Sequence, residues 1–278
     1  MIFLICGLVA VTFVLCISVY LVVSGIPAIR EIGLIHFLGG TKWASTAKNP
    51  KFGILTFILT SVYGTAGAVL IGVPVGLLTA VYLSKFAKPK VAGIIRMAVQ
   101  LLAGIPSVVY GLVGMIVLVP AIRRLFGLSS GACLLAAIVV LAIMILPSII
   151  NVSETALRAV PREYEEASLA LGATEIETYF RVSLPAAGSG VATAVVLGVG
   201  RAIGEAMAII MVSGNVANMP GLFTSVRFLT TAIASEMSYA AYGSLQRNAL
   251  YSIGLVLFLF IMLINVFLNV FIKKRKED

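Results

Sequence analysis

The stretch EYEEASLALGATEIETYFRVSLP, residues 163–185, is the charged segment around which this chain is organised. It holds five of the chain's eleven acidic residues. From Val182 to Val212 the sequence is apolar, and its only charged residues are Arg201 and Glu205. A hydrated, helix-prone segment that leads into an apolar span is typical of an element that couples a soluble partner to a path through a membrane.

The composition supports a membrane protein. The 278 residues are 60% hydrophobic and 11% charged, whereas about a quarter of the residues in a globular domain are charged. Six uncharged runs each approach or exceed the ~20 residues that a helix needs to cross a bilayer. We therefore predict an all-α polytopic membrane protein with six transmembrane helices. The runs are residues 1–25, 52–84, 97–122, 125–153, 182–200 and 248–272.

Several local features modify these spans. The first run lacks a charged start and a cleavage site, so we expect an uncleaved span rather than a signal peptide. Residues 24–51 are expected to form an interfacial loop, and Pro74 is expected to bend the second span. The motif GIPSVVYG, residues 104–111, predicts a helix break at membrane depth. The break is either a kink for close helix packing or a place where Ser107 and Tyr110 face a path.

The chain is predicted to be one transmembrane domain, residues 1–278, with a core at 53–272 and a cytoplasmic loop at about 154–186. Six crossings place both termini on one side of the membrane. The basic tail at 273–276 and the lysines between Lys85 and Lys90 favour the cytoplasm for that side.

The charged segment is predicted to begin with a short helix. Pro161 suits the start of a helix, and acidic residues follow in the first turn, where the helix dipole favours them. Gly172 suits its end. Ala167 and Ala170 give the helix a face of small side chains that can seat in a groove of another protein. The alternative is a solvated helix with no partner.

The same segment resembles the EAA motif of ABC importer permeases, E-A-A-x3-G-x9-I-x-L-P. The matching positions carry the expected residues at the expected spacings, although Ser168 and Val182 depart mildly from the motif. In that family the loop is the coupling helix that docks into a cytoplasmic ATPase. The resemblance therefore implies an ATPase dimer as partner and a role in coupling for Glu165, Glu166, Ala167, Ser168, Gly172, Leu184 and Pro185.

No phosphate-binding loop of the P-loop type occurs in the sequence. ATP is accordingly expected to be bound by the partner, with no cofactor in this chain and no catalytic or metal-binding residues.

Further motifs resemble phosphate importer permeases of the PstC type. They are LAGIPSVVYG at 102–111, LRAVP at 157–161, GRAIGEAMA at 200–208 and the pair Gly214-Asn215. The resemblance implies a permease subunit for inorganic phosphate in a bacterial-type inner membrane. It also implies a second permease of the PstA type and an external phosphate-binding protein, and it places Asn215 on the path.

Arg201 and Glu205 are four residues apart, so we expect them to be neighbours on one face of a helix. A charge at membrane depth costs at least ~2.5–3.5 kcal/mol, which favours a position inside the helix bundle. Either the two side chains neutralise each other, or they contact a permeating anion. Arginine suits phosphate because its planar donors can bond two oxygens at once.

The alternatives to a phosphate importer are a permease for another substrate, an ATP-independent transporter and an intramembrane enzyme. A permease for another oxyanion or small solute fits the same motifs. An ATP-independent transporter would need an internal repeat or more spans. An intramembrane enzyme would need a clustered nucleophile and base. The net charge of +9 is scattered between apolar runs, which disfavours nucleic acid and fits a lipid bilayer.

Overall fold

The computed structural model describes residues 1–277, and the side chains of residues 1–266. The basic tail at 273–276, used above for orientation, has side chains outside that described part. The chain folds as a helical bundle, and its long helices run from one end of the bundle to the other.

Within residues 1–277, five helices are long and apolar enough to cross a membrane, and a bent helix pair, counted as one span, makes a sixth crossing. The first crossing is α1, Ile2–Ile32, and the second is α3, Leu55–Val81, continued by a π turn to Phe86. The third is Ser107–Leu125, which comprises α5 (Ser107–Val113), a π turn and α6 (Val119–Leu125). The fourth is α7, Leu134–Arg158, and the last is α14, Leu245–Glu277.

The fifth crossing is the bent pair, which contains the apolar run predicted at 182–200 and begins earlier, at Glu175. The first arm, Glu175–Ala186, consists of α9 (Glu175–Thr178), a π turn and α10 (Leu184–Ala186). The second arm is α11, Gly188–Gly204, and the two arms meet at an angle of 71°. The π turn and Pro185 disturb the hydrogen-bond ladder just before the bend, which is where helices kink.

Shorter elements join these spans. Helix α2 is Leu34–Gly39, and a two-stranded antiparallel hairpin follows, β1 (Trp43–Ala44) paired with β2 (Lys51–Phe52). Helix α4 is Pro89–Gly104 and α8 is Arg162–Ala170. Helices α12 (Met207–Val212) and α13 (Leu229–Glu236) flank a loop, residues 213–228.

Helix α7 forms the centre of the bundle, because it is buried along most of its length. Glycines on α3 receive its branched side chains: a Cβ at Gly72 or Gly76 would lie 2.7–2.8 Å from Ile145 or Ile149. Small residues at such positions let membrane helices approach closely. By contrast, α1 is exposed along most of its length and packs on α14, where the Ser252 hydroxyl donates to the Gly25 carbonyl at 2.6 Å.

The loop predicted at residues 24–51 differs from the structure. Residues 24–51 were expected to be a loop, but α1 continues through Pro27 to Ile32 and the rest forms α2 and the hairpin. Proline inside a helix is tolerated where neighbouring groups replace the lost bond. Pro74 also lies inside a helix, α3, which is continuous from Leu55 to Val81, and the bend expected there stays a prediction.

Candidate functional site

The predicted short helix exists as α8. It begins directly after Pro161, carries Glu163 and Glu165 in its first turn, and is followed by Gly172, whose φ of +87° is the left-handed conformation that glycine adopts without strain. The helix is largely exposed, including Tyr164 and Leu169, and Leu171 just beyond it is 90% exposed. An exposed helix that displays apolar side chains offers a docking surface.

Glu165 anchors α8 to two transmembrane segments. Its carboxylate accepts hydrogen bonds from Lys85 Nζ at 2.5 and 2.7 Å and from Ser183 Oγ at 2.9 Å. Lys85 ends the second crossing, and Ser183 lies in the π turn just before the bend of the fifth. The Ser168 and Thr178 hydroxyls also share a hydrogen bond of 2.9 Å. Helix α8 is therefore attached by hydrogen bonds to both crossings.

The remaining residues of the predicted coupling set divide into two groups. Glu166 and Ala167 are exposed on α8 and available to a partner. Leu184 is half-buried against the cluster around Val81 and Leu157, beside the exposed Pro185. The motif thus contains both an outer surface and the inner packing that holds it.

A second charged cluster at the same end was missed by the sequence reasoning. Glu154 is almost buried and accepts from Arg96 Nε at 2.8 Å and from Arg158 Nε at 3.0 Å. Both guanidinium groups also donate to the Leu83 carbonyl, at 3.3 and 3.5 Å. The four-residue spacing of Glu154 and Arg158 was a usable signal, but Arg96 comes from another helix.

The predicted break occurs between α4 and α5, at Ile105 and Pro106. The Tyr110 hydroxyl donates to the Leu102 carbonyl at 2.7 Å, and the same carbonyl accepts the Ile105 N–H at 3.3 Å at the end of α4. A Cβ at Gly111 would lie 2.8 Å from the Ala208 Cα, so this glycine allows α5 to pack closely on α12. These contacts support the packing interpretation for Tyr110. Ser107 is half-buried and has no hydrogen bond within residues 1–266.

Arg201 and Glu205 do not form the expected helical pair. Helix α11 ends at Gly204, and Glu205 is extended, so the assumption of one continuous helix face is wrong. Glu205 Oε1 instead accepts the backbone N–H of Ala208 at 2.9 Å in the first turn of α12, and its carbonyl accepts from Thr230 Oγ1 at 2.6 Å. The interpretation that the two charges neutralise each other is therefore wrong for the described side chains, among which they form no ion pair.

Arg201 lies in the last turn of α11, half-buried and within electrostatic reach of Tyr110. Its guanidinium makes no hydrogen bond or ion pair to the side chains and backbone described up to residue 266. A Cβ at Gly200 or Gly204 would meet nothing within 4 Å. Helix α11 thus presents a cation on an open, small-residue face.

Asn215 belongs to a different set. It sits in the 213–228 loop with a φ of +51°, and its carbonyl accepts from Arg227 Nε at 3.1 Å. It lines a cleft of about 490 Å³ together with Trp43, Glu236 and Tyr239. Asn215 therefore lies at the mouth of the bundle, at the end opposite α8. Among the described side chains of the predicted path residues, those of Arg201 and Tyr110 lie near each other.

Glu236 is the centre of that opposite end and was not assigned a role from the sequence. Glu236 is buried, with 3% of the residue exposed, and its carboxylate accepts four hydrogen bonds. Arg227 Nη1 donates at 2.6 Å and Trp43 Nε1 at 2.9 Å to Oε1, while Ser45 Oγ at 2.7 Å and Gln246 Nε2 at 3.1 Å donate to Oε2. The carboxylate ties the hairpin to α13 and α14.

No metal site is found: among the described residues, no three His, Cys, Asp or Glu side chains lie together in a way that could hold an ion.

Residues 72–277 match the family described as "Binding-protein-dependent transport system inner membrane component". A "Probable ABC transporter permease protein YqgH" of Bacillus subtilis is 40% identical over 266 residues, covering 93% of this chain and 86% of the relative. A "Phosphate transport system permease protein PstC" of Mesorhizobium japonicum is 35% identical over 248 residues, covering 82% of this chain and 75% of the relative.

Solved transporters share the fold. An inward-facing MetNI methionine ABC transporter matches with a TM-score of 0.60 at 23% identity, covering 80% of this chain and 94% of that one. A bacterial alginate ABC transporter in complex with a pentasaccharide-bound periplasmic protein matches with a TM-score of 0.66 at 17% identity, covering 96% and 92%. At these identities the likeness concerns the fold alone.

Proposed function

The chain belongs to the family of binding-protein-dependent transport system inner membrane components, and from that premise we propose that it is the membrane subunit of an ATP-driven importer of inorganic phosphate. Relatives named as phosphate permeases of the PstC type support the substrate. The observation that carries the proposal is the exposed helix α8, fixed through Glu165 to two crossings.

In this function α8 docks into the ATPase and transmits its movement. The ATPase moves the helix, and the Glu165 contacts carry that movement to Lys85 at the end of α3 and to Ser183 beside the 71° bend. Because both contacts involve one carboxylate, the two crossings move together. The path opens and closes as the arms of the bent pair shift.

Phosphate passes along the open face of α11, where Arg201 meets it. The guanidinium can donate two parallel hydrogen bonds to phosphate oxygens, a geometry that lysine lacks. Glu205 uses Oε1 to hold α12, and its other oxygen can accept the proton of a monoprotonated phosphate. Tyr110 lies near Arg201, and we also assign Ser107 to the path and Asn215 to its entrance.

The proposed orientation follows from the docking helix. With α8 in the cytoplasm, both termini are cytoplasmic, since α1 begins and α14 ends at the α8 end of the bundle. The Glu236 end then faces outward, toward a phosphate-binding protein. We place the chain in a bacterial-type inner membrane beside a second permease of the PstA type, with ATP bound and hydrolysed by the ATPase dimer.

Site-directed cross-linking tests the docking. In a background lacking Cys6, Cys16 and Cys133, Leu171→Cys should cross-link to the ATPase in the assembled transporter. Tyr242→Cys is the matched control, because Tyr242 is 89% exposed at the opposite end of the bundle and Leu171 is 90% exposed. Cross-linking from Tyr242→Cys alone, or from neither position, would refute the proposal.

A permease for another oxyanion is the second candidate, because the 40% identical relative carries no substrate in its name. Competition separates the two. Excess unlabelled phosphate should suppress uptake of labelled phosphate, and excess sulfate should leave it unchanged. Suppression by sulfate at equal concentration would favour the second candidate.

A further inference from the structure

The outward end carries a compact element that the proposed mechanism does not use, residues 34–54, here called the hairpin platform. Within it the backbone crosses itself at Gly40 and Gly53, where a Cβ on Gly53 would lie 2.4 Å from the Gly40 carbonyl carbon. Gly53 N–H donates to the Lys42 carbonyl at 3.0 Å, and Leu55 N–H to the Gly40 carbonyl at 3.0 Å. The platform is therefore a closed loop rather than a loose connection.

The platform is also fixed to the bundle. Phe37, Phe52 and Ile54 are buried in a core shared with α13 and α14. Trp43 and Ser45 donate to the Glu236 carboxylate. An element held by buried side chains and a buried ion-pair network presents its outer residues in a fixed arrangement.

Those outer residues are basic. Lys42, Lys48 and Lys51 are exposed, and none forms an ion pair with the side chains of residues 1–266. Glu31 is the nearby carboxylate, lining one cleft with Lys42 and Lys51, while Glu236 is already occupied by Arg227. Lysines concentrate on the cytoplasmic side of membrane proteins, so these three exposed lysines at the end opposite α8 run against that bias and form a positively charged surface.

The shape around the hairpin suits a protein partner. A cleft of about 580 Å³ lies on one side, against Lys42 and Lys51, and the cleft of about 490 Å³ containing Asn215 lies on the other. Asn215 Oδ1 is buried without a hydrogen-bond partner and lines the second cleft, so it needs a donor. Tyr239 borders the same cleft, and its exposed hydroxyl can donate a hydrogen bond to a partner.

We propose that the hairpin platform is the docking site for a carboxylate-bearing face of the external solute-binding protein, with Lys42, Lys48 and Lys51 meeting its carboxylates. The hairpin enters between two lobes or loops of the partner, which occupy the flanking clefts. This inference rests on the proposed function, since it assumes that such a protein delivers the substrate. Opposite charges across the contact accelerate association, by 10- to 1,000-fold in steered complexes.

The test measures association of the cognate binding protein with the complete transporter in nanodiscs, by surface plasmon resonance over a range of salt concentrations. The variant is Lys48→Glu with Lys51→Glu. The control is Arg123→Glu with Arg124→Glu, two exposed cations at the same end of the bundle that give the same change in net charge. Basal ATPase activity checks that both variants are assembled.

At low salt the hairpin variant should associate at least tenfold more slowly than the wild type, and the difference should shrink as salt rises. The control should stay within twofold of the wild type. Equal slowing in both variants, or none in the hairpin variant, would overturn the inference and leave the proposed function intact. If the wild-type transporter shows no ATP-dependent phosphate uptake even with the binding protein present, the proposed function itself fails.

Discussion

Replacing Glu165 with Gln should loosen helix α8 by a measurable amount. The carboxylate holds Lys85 and Ser183, and the side chains of Glu165 and Lys85 are only 13% and 17% exposed. Removing one partner of a buried ion pair costs about 3–5 kcal/mol, and exposed pairs contribute about 0–1 kcal/mol. Because glutamine keeps the shape and one acceptor oxygen, we expect a loss of about 2–3 kcal/mol between these limits.

We expect this loss to lower the free energy of local unfolding of α8. A nine-residue helix in which every side chain is at least partly exposed is not stable without its anchor. With about 1.4 kcal/mol for each factor of ten, amide hydrogen exchange of residues 162–172 should accelerate about 30- to 150-fold. Hydrogen–deuterium exchange with mass spectrometry on the assembled transporter measures this directly.

Two further variants isolate the cause. Glu163→Gln removes an exposed carboxylate from the same turn, one with no partner among the described side chains, and should leave exchange within about threefold. Exchanging the two charges, Lys85→Glu with Glu165→Lys, should restore much of the protection. Unchanged exchange in Glu165→Gln would refute the role of this contact in holding α8.

Three other substitutions test separate parts of the structure. Glu236→Ala should shift the fluorescence of Trp43, the chain's single tryptophan, to longer wavelength and increase its quenching by acrylamide, because the indole loses its buried partner; an unchanged spectrum would contradict the network. Gly53→Ala should lower the thermal stability of the transporter through a backbone clash, whereas Gly39→Ala, where a Cβ meets nothing within 4 Å, should not; equal melting temperatures would contradict the crossing. Arg201→Gln should abolish phosphate uptake while assembly and basal ATPase activity survive, and normal uptake would remove Arg201 from the path.

The crossings and the short helix α8 could be predicted from the sequence because the residues that determine them are close together in the chain. Long apolar runs, Pro161 before α8 and Gly172 after it each act through their immediate neighbours, and the structure has the corresponding elements. The break before Ser107 was readable for the same reason. These features depend on hydropathy and backbone preference, which a single sequence displays.

The charge networks could not be predicted, because their partners are far apart in the chain. Glu236 bonds to Trp43 and Ser45 across more than 190 residues, and Glu154 bonds to Arg96 on another helix. The shared helix face of Arg201 and Glu205 was predicted wrongly, because four-residue spacing matters only inside one helix and α11 ends between them. The bend beside Pro185 was missed for a similar reason, since an apolar run does not reveal its direction.

The most direct test of the account is uptake of labelled phosphate into proteoliposomes that contain this chain, its partner permease and the ATPase, with the binding protein outside and ATP inside. We expect label to accumulate only when ATP is hydrolysed, and we expect Glu166→Lys, at an exposed position of α8, to hydrolyse ATP without accumulation. Accumulation without ATP, or full accumulation in that variant, would contradict the claim that α8 couples ATP hydrolysis to phosphate transport.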